Sequence, residues 1–349
     1  MPTPQPLRMQ LTNNGDLNRA HTPFGLCAPT YWERIMGKYI TKRVLLMIPV
    51  VLGVTVLLFT ILYFTPGDPA TIILGSTATR EDIEALKESM GLNRPYLERL
   101  LEYMRHVFLK FDFGESFITG KSIAAEIAAR FPRTFKIALG SIVITLLVGI
   151  PLGILAAVRQ DRLADRITLI ASLIGVSMPS FWIGLMLSLL FGLKLGWLPT
   201  SGIGGLEYYI LPITANCLGG VAGMIRQTRA SMLDVIRSDY IKTARAKGVP
   251  QSQVIWRHAL PNALIPIITI AGSNFGRMLG GTIIIETVFG FPGMGTYVQT
   301  AINNRDYNVV LGTVVVLSVS FSIIMLIVDL IYAYVDPRIK AQYEGKKGR

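Results

Sequence analysis

Six stretches of the chain stay apolar for close to the ~20 residues that a helix needs to cross a hydrocarbon core of roughly 30 Å. They cover residues 44–64, 135–158, 167–193, 209–225, 263–288 and 309–334. The fourth is short and carries Pro212. None alternates with the period of two that a membrane barrel strand needs. Only a helix satisfies every backbone N–H and C=O within its own segment in lipid. The pattern predicts an all-α integral membrane protein with six transmembrane helices.

Helical spacing also runs through two of the connections. Between the first two spans, Thr79 with Asp82 marks a helix start, Ile83, Leu86 and Met90 share a face, and Gly91 ends it. Pro95 opens a second amphipathic piece through Leu97, Leu100, Leu101, Met104, Val107, Phe108 and Phe111, and a third piece places Ile123, Ile127 and Phe131 together. These predict a small helical cap packed on the membrane domain, and a dock for an external binding protein is compatible with it. Between the fourth and fifth spans, Met232, Leu233, Ile236, Tyr240 and Ala244 keep helical spacing up to Gly248, with Arg245 and Lys247 in the preceding turn. Pro250 restarts a helix and Leu260-Pro261 ends it, so two short helices flank a glycine corner. Small Ala244 and Ala246 allow close approach there, and Tyr240 offers the kind of aromatic anchor that dominates interfaces.

Composition agrees with a membrane protein: 51% of the 349 residues are hydrophobic and only 16% are charged, against roughly a quarter charged in soluble domains. The net charge of +12 would suit nucleic acid or a membrane, and its placement decides. Basic residues crowd the chain before the first span, the second-to-third connection (Arg159, Arg162, Arg166), the fourth-to-fifth connection and the tail after the last span. The other connections are acidic or balanced; the long first one holds nine basic and ten acidic residues. By the positive-inside rule both termini are cytoplasmic, and no nucleic-acid partner is needed to explain the charge. The first apolar run leads into Thr65-Pro66-Gly67-Asp68-Pro69 rather than a signal-peptide cleavage site. The expected organisation is a polar extension over 1–35, with Met36 a candidate start, a first span plus external helical segment over 36–133, a five-span core over 134–334 with a cytoplasmic loop at 229–262, and a basic cytoplasmic tail over 335–349.

Chemistry-bearing motifs are sparse. Two cysteines and three scattered histidines provide no disulfide framework and no metal site. Gly114 followed by Gly120-Lys121-Ser122 mimics a phosphate loop with one residue too many and Glu115 in the way. No nucleophile elbow or zinc-protease motif is present. Arg277 stands out in the middle of the fifth span, where a charge is costly and turns toward protein or water. Two readings stay open: it faces a solute pathway and attracts a carboxylate, or it pairs with an acidic group of a partner chain. Glu286, nine residues on, projects from the opposite side of the same helix and is the second candidate pathway residue. Asp329 near the end of the last span is expected at an interface. A transporter working alone would use ionisable relays or paired repeats, and neither is evident here.

The fourth-to-fifth connection resembles the cytoplasmic loop of ABC importer permeases. The stretch Asp239-Tyr240-Ile241-Lys242-Thr243-Ala244-Arg245-Ala246-Lys247-Gly248, nine residues, then His258-Ala259-Leu260-Pro261 is similar to the family's Glu-Ala-Ala, three residues, Gly, nine residues, Ile, any residue, Leu-Pro. Ala244, Gly248, Leu260 and Pro261 match. Lys242, Thr243 and His258 depart from it in the manner of the dipeptide/oligopeptide subfamily. Further likenesses lie at Pro66-Gly67-Asp68-Pro69, Asp112-Phe113-Gly114, Glu286-Thr287-Val288-Phe289, Pro292-Gly293-Met294-Gly295, Arg305-Asp306-Tyr307 and Asp336-Pro337-Arg338-Ile339. The resemblance implies a type I importer permease fold in a bacterial or archaeal inner membrane. It also implies a second permease, two ATPase subunits that use the ATP, and an external solute-binding protein, with no cofactor in this chain. The coupling contact to the ATPase would involve Tyr240, Thr243, Ala244, Arg245, Ala246, Lys247, Gly248, His258, Leu260 and Pro261. Dipeptides or oligopeptides are the expected solutes, with nickel or its chelates and glutathione as alternatives.

Overall fold

The computed structural model describes residues 29–67, 69–75 and 77–335. It divides into two compact units, Met1–Lys42 and Arg43–Arg349. The described part of the first is the opening of helix α1 (Pro29–Phe64), which already runs upstream of Met36. The polar stretch 1–28 and the basic tail 336–349 lie outside the described residues.

Among the described residues the second unit holds the rest of α1 and twelve further α-helices: α2 (Pro69–Leu74), α3 (Arg80–Ser89), α4 (Tyr96–Lys110), α5 (Ile123–Val158), α6 (Leu163–Ser177), α7 (Ser180–Leu187), α8 (Glu207–Ile236), α9 (Asp239–Ala246), α10 (Gln251–Gln253), α11 (Leu260–Val288), α12 (Met294–Asn303) and α13 (Tyr307–Val335). Among the described residues five helices are long and apolar enough to span a membrane, six if the bent pair Leu163–Ser177 and Ser180–Lys194 is counted as one span. The break corrects the expected third span. Pro179 cannot donate to the ladder, so α6 stops at Ser177 and the chain turns by 97° into the Ser180–Lys194 segment.

Three other boundaries differ from expectation. The predicted third external helix is the start of α5, which passes through Pro132 without stopping; neighbouring helices and side chains tolerate a membrane proline that would end a solvated helix. The fourth span is not short, because α8 runs 30 residues and carries Pro212 in its second turn. Leu260-Pro261 does not end a helix either. A π-helical turn over Val254–Ala259 leads directly into α11, with the proline in its first turn, where a missing N–H does least harm.

α5 is the hub. Beside it a Cβ on Gly149 would lie 2.7 Å from the Cβ of Met224, and one on Gly153 would lie 2.5 Å from the Cβ of Thr228. Only glycine lets α8 come this close. Further along the same face of α5, Ala138 and Ile142 pack with Phe275, Met278 and Leu279 of α11. The segment between α1 and α5 packs against the long helices: Leu100 and Val107 of α4 join clusters with Phe59 and Val51 of α1 and with Leu311 and Val315 of α13. The phosphate-loop mimic is a small turn closed by a Glu115–Ser122 bridge. It is pinned to the start of α13 where Ser116 Oγ donates to Asp306 at 2.5 Å. Asp329, expected at an interface, has a partner within the chain, Arg43 at 2.9 Å.

At the arginine-rich end, Asp165 in the first turn of α6 takes both prongs of Arg229 of α8, from Nε at 2.6 Å and Nη2 at 2.7 Å, and also accepts from the Asp161 N–H. The carboxylate is 2% exposed. Breaking a buried pair strands a charge and costs about 3 kcal/mol. Asp165→Ala should therefore lower the thermal midpoint of the purified protein clearly. Adding Arg229→Ala should recover part of that loss, and purely additive losses would show that the pair contributes no coupling.

Candidate functional site

The corner after α8 is built from backbone hydrogen bonds. α9 ends as the N–H of Gly248 bonds to the Arg245 carbonyl at 2.9 Å and the N–H of Val249 reaches back to the Ala244 carbonyl at 3.3 Å. This is a helix stop that needs a left-handed residue, and Gly248 supplies it with φ +77°. Pro250 then opens α10.

Ile241 is the only side chain of α9 that is fully buried. It enters a cluster with Ile154 of α5, Met224 and Met232 of α8, and Val254, Ala259, Ala263 and Ile267 around α11. One side chain thus roots the short helix in three spans. Tyr240, Thr243, Arg245, Ala246, Lys247 and Gly248 are exposed around it, and Ala244 is half-buried. The Lys242 ammonium, 2.9 Å from Asp239, holds that carboxyl below its ordinary range. Beyond the corner His258 and Leu260 are half-buried and Pro261 is exposed. The structure therefore gathers these residues at the arginine-rich end, on α9 and on the helix that follows. Trp256, more exposed than Tyr240, belongs to this surface and was missed in the sequence; its signal was a large aromatic beside Arg257 and His258.

The two pathway candidates part company. Arg277 is exposed, and its guanidinium donates to the Asn274 side chain. Glu286 has no exposed surface. Its carboxylate accepts from Thr134 Oγ1 at 2.6 Å and from the Thr296 N–H at 3.0 Å, while Thr134 Oγ1 accepts from the Met294 N–H at 2.8 Å. This carboxylate fixes the start of α12 to α5 and α11 and presents nothing to a solute in this chain.

Comparison with known proteins bears on the family and the fold. Residues 149–341 match the family model described as "Binding-protein-dependent transport system inner membrane component". Residues 36–138 match that of its N-terminal membrane component. The "Glutathione transport system permease protein GsiC" of Escherichia coli (strain K12) is 39% identical over 305 residues, covering 87% of this chain and 99% of that protein. The protein of the same name from Salmonella typhi matches equally well. Among solved structures, the MetNI methionine ABC transporter in an inward-facing conformation superposes with a TM-score of 0.51 at 17% identity, over 60% of this chain and 96% of that one, a likeness of fold. With matched models over both its N-terminal and core regions, this chain belongs to the binding-protein-dependent transport system inner-membrane components and is a permease subunit of an ABC importer.

Proposed function

We propose that this permease passes small peptides, glutathione among them, across the inner membrane, with α9 as the element that receives the ATP-driven stroke. The arginine-rich end is cytoplasmic in this reading. Two ATPase chains bind and hydrolyse ATP there, a second permease supplies the other half of the pathway, and an external binding protein delivers the solute. The peptide class is supported by the departures at Lys242, Thr243 and His258 and by the relatives named for a tripeptide.

The observation that carries the coupling role is the contrast along α9. Its one buried residue, Ile241, is tied to α5, α8 and α11, and nearly everything else on it is offered outward. A movement passes between chains only through an element with different contacts in two states. A docked helix rooted in three spans meets that need.

Substitutions at two positions test this. A Cβ on Gly248 would meet nothing within 4 Å, so the cost of substitution lies in the left-handed backbone alone, about 1–2 kcal/mol. Gly248→Val should abolish ATP-driven uptake while insertion and thermal stability of the spans stay near wild type, and Gly248→Asn, which tolerates that backbone, should keep most activity. Equal uptake in all three would remove the corner from the mechanism. Tyr240→Ala should weaken association with the ATPase subunit by about 2 kcal/mol, roughly thirtyfold in Kd, as read by titration of the solubilised permease.

A further inference from the structure

Exposed positions on most spans are apolar, as lipid requires: Leu139, Val143 and Leu147 on α5, and Ile323, Ile327 and Ile331 on α13. α11 is the exception. Its exposed stripe runs through Thr269, Ser273, Arg277, Gly280 and Thr287, spaced by three, four or seven residues and therefore on one face, with Ile284 the large apolar residue among them. α8 continues it with exposed Gly219 and half-buried Gly223.

The two strips form one surface. α8 and α11 each rest on α5, through Met224 and Thr228 in one case and Phe275 and Leu279 in the other. They also touch each other, with Met278 lying over Gly220. Both strips are on the sides turned away from α5. A Cβ on Gly219, Gly223 or Gly280 would meet nothing within 4 Å, so the surface keeps open bays beside the cation.

The polar groups are sorted. Thr269 Oγ1 and Ser273 Oγ donate to carbonyls four residues back, each at 3.1 Å, which leaves their oxygens as acceptors. Arg277 has only donors, and Asn274 fixes its guanidinium. Donors at one level and acceptors in the two turns below complement a peptide, which carries a carboxylate at one end and N–H groups behind it.

We propose that this α8–α11 face is the solute-facing wall of the pathway, with Arg277 holding the carboxylate of a peptide in transit and Ser273 and Thr269 accepting from its N–H groups. The assignment deepens the peptide-import reading and rests on it.

The test uses the assembled transporter with Cys27 and Cys217 replaced by serine. Single cysteines at Ser273→Cys, Gly280→Cys and Ile327→Cys are treated with anionic and cationic water-borne thiosulfonates. Ser273→Cys and Gly280→Cys should be labelled and protected by a transported tripeptide, and Ile327→Cys should not be labelled. The anionic reagent should gain on the cationic one by roughly tenfold from the local field, an advantage that Arg277→Gln removes. Absence of labelling at both positions, or a charge preference unchanged by Arg277→Gln, would overturn the assignment. ATP-driven tripeptide uptake by the same preparation reports the peptide-import reading separately.

Discussion

The seating of α8 on α5 governs the rest of the structure. In lipid no hydrophobic force drives two apolar helices together, so backbone proximity and packing decide. Gly149 and Gly153 remove the side chains that would hold α8 away from α5. Once α8 is seated, the Asp165–Arg229 fork sets where its arginine-rich end stops relative to α6. The position of α9 follows from that end, and the start of α11 follows from the corner.

This arrangement places the corner and the polar face on the same two helices. α8 carries the glycine strip and ends at α9. α11 begins just after the corner and carries Arg277 half-way along. The shared cluster around Ile241 leaves little slack between them, since packed interiors resist continuous deformation. In the proposed stroke a displacement of α9 would therefore shift α8 and α11 together and change the face between them. At the other end the Glu286–Thr134–Met294 network holds α12 on α5.

Much of this was legible in the sequence because lipid simplifies the code. Span-length apolar runs located the long helices, and the glycine and proline around 248–250 marked a corner that the backbone hydrogen bonds confirm. The errors cluster at prolines. Pro132 and Pro261 lie inside or at the start of continuous helices, while Pro179 breaks one; whether a proline interrupts depends on what neighbouring elements offer the freed carbonyls, which local sequence does not encode. The pairs that fix the architecture are also long-range: Asp165 and Arg229 are 64 residues apart, and Thr134 and Glu286 are 152 apart. Arg277 was conspicuous as a mid-span charge, but the acceptor hydroxyls below it and the open glycines beside it gained meaning only when the packing showed which sides of α8 and α11 stay uncovered.

Reconstitution addresses the central claim most directly. Proteoliposomes carrying this permease with its partner permease, ATPase subunits and binding protein should accumulate tripeptide when ATP is supplied on the ATPase side. Vesicles lacking only the ATPase should not. Equal accumulation by the permease alone, with no nucleotide present, would contradict the account.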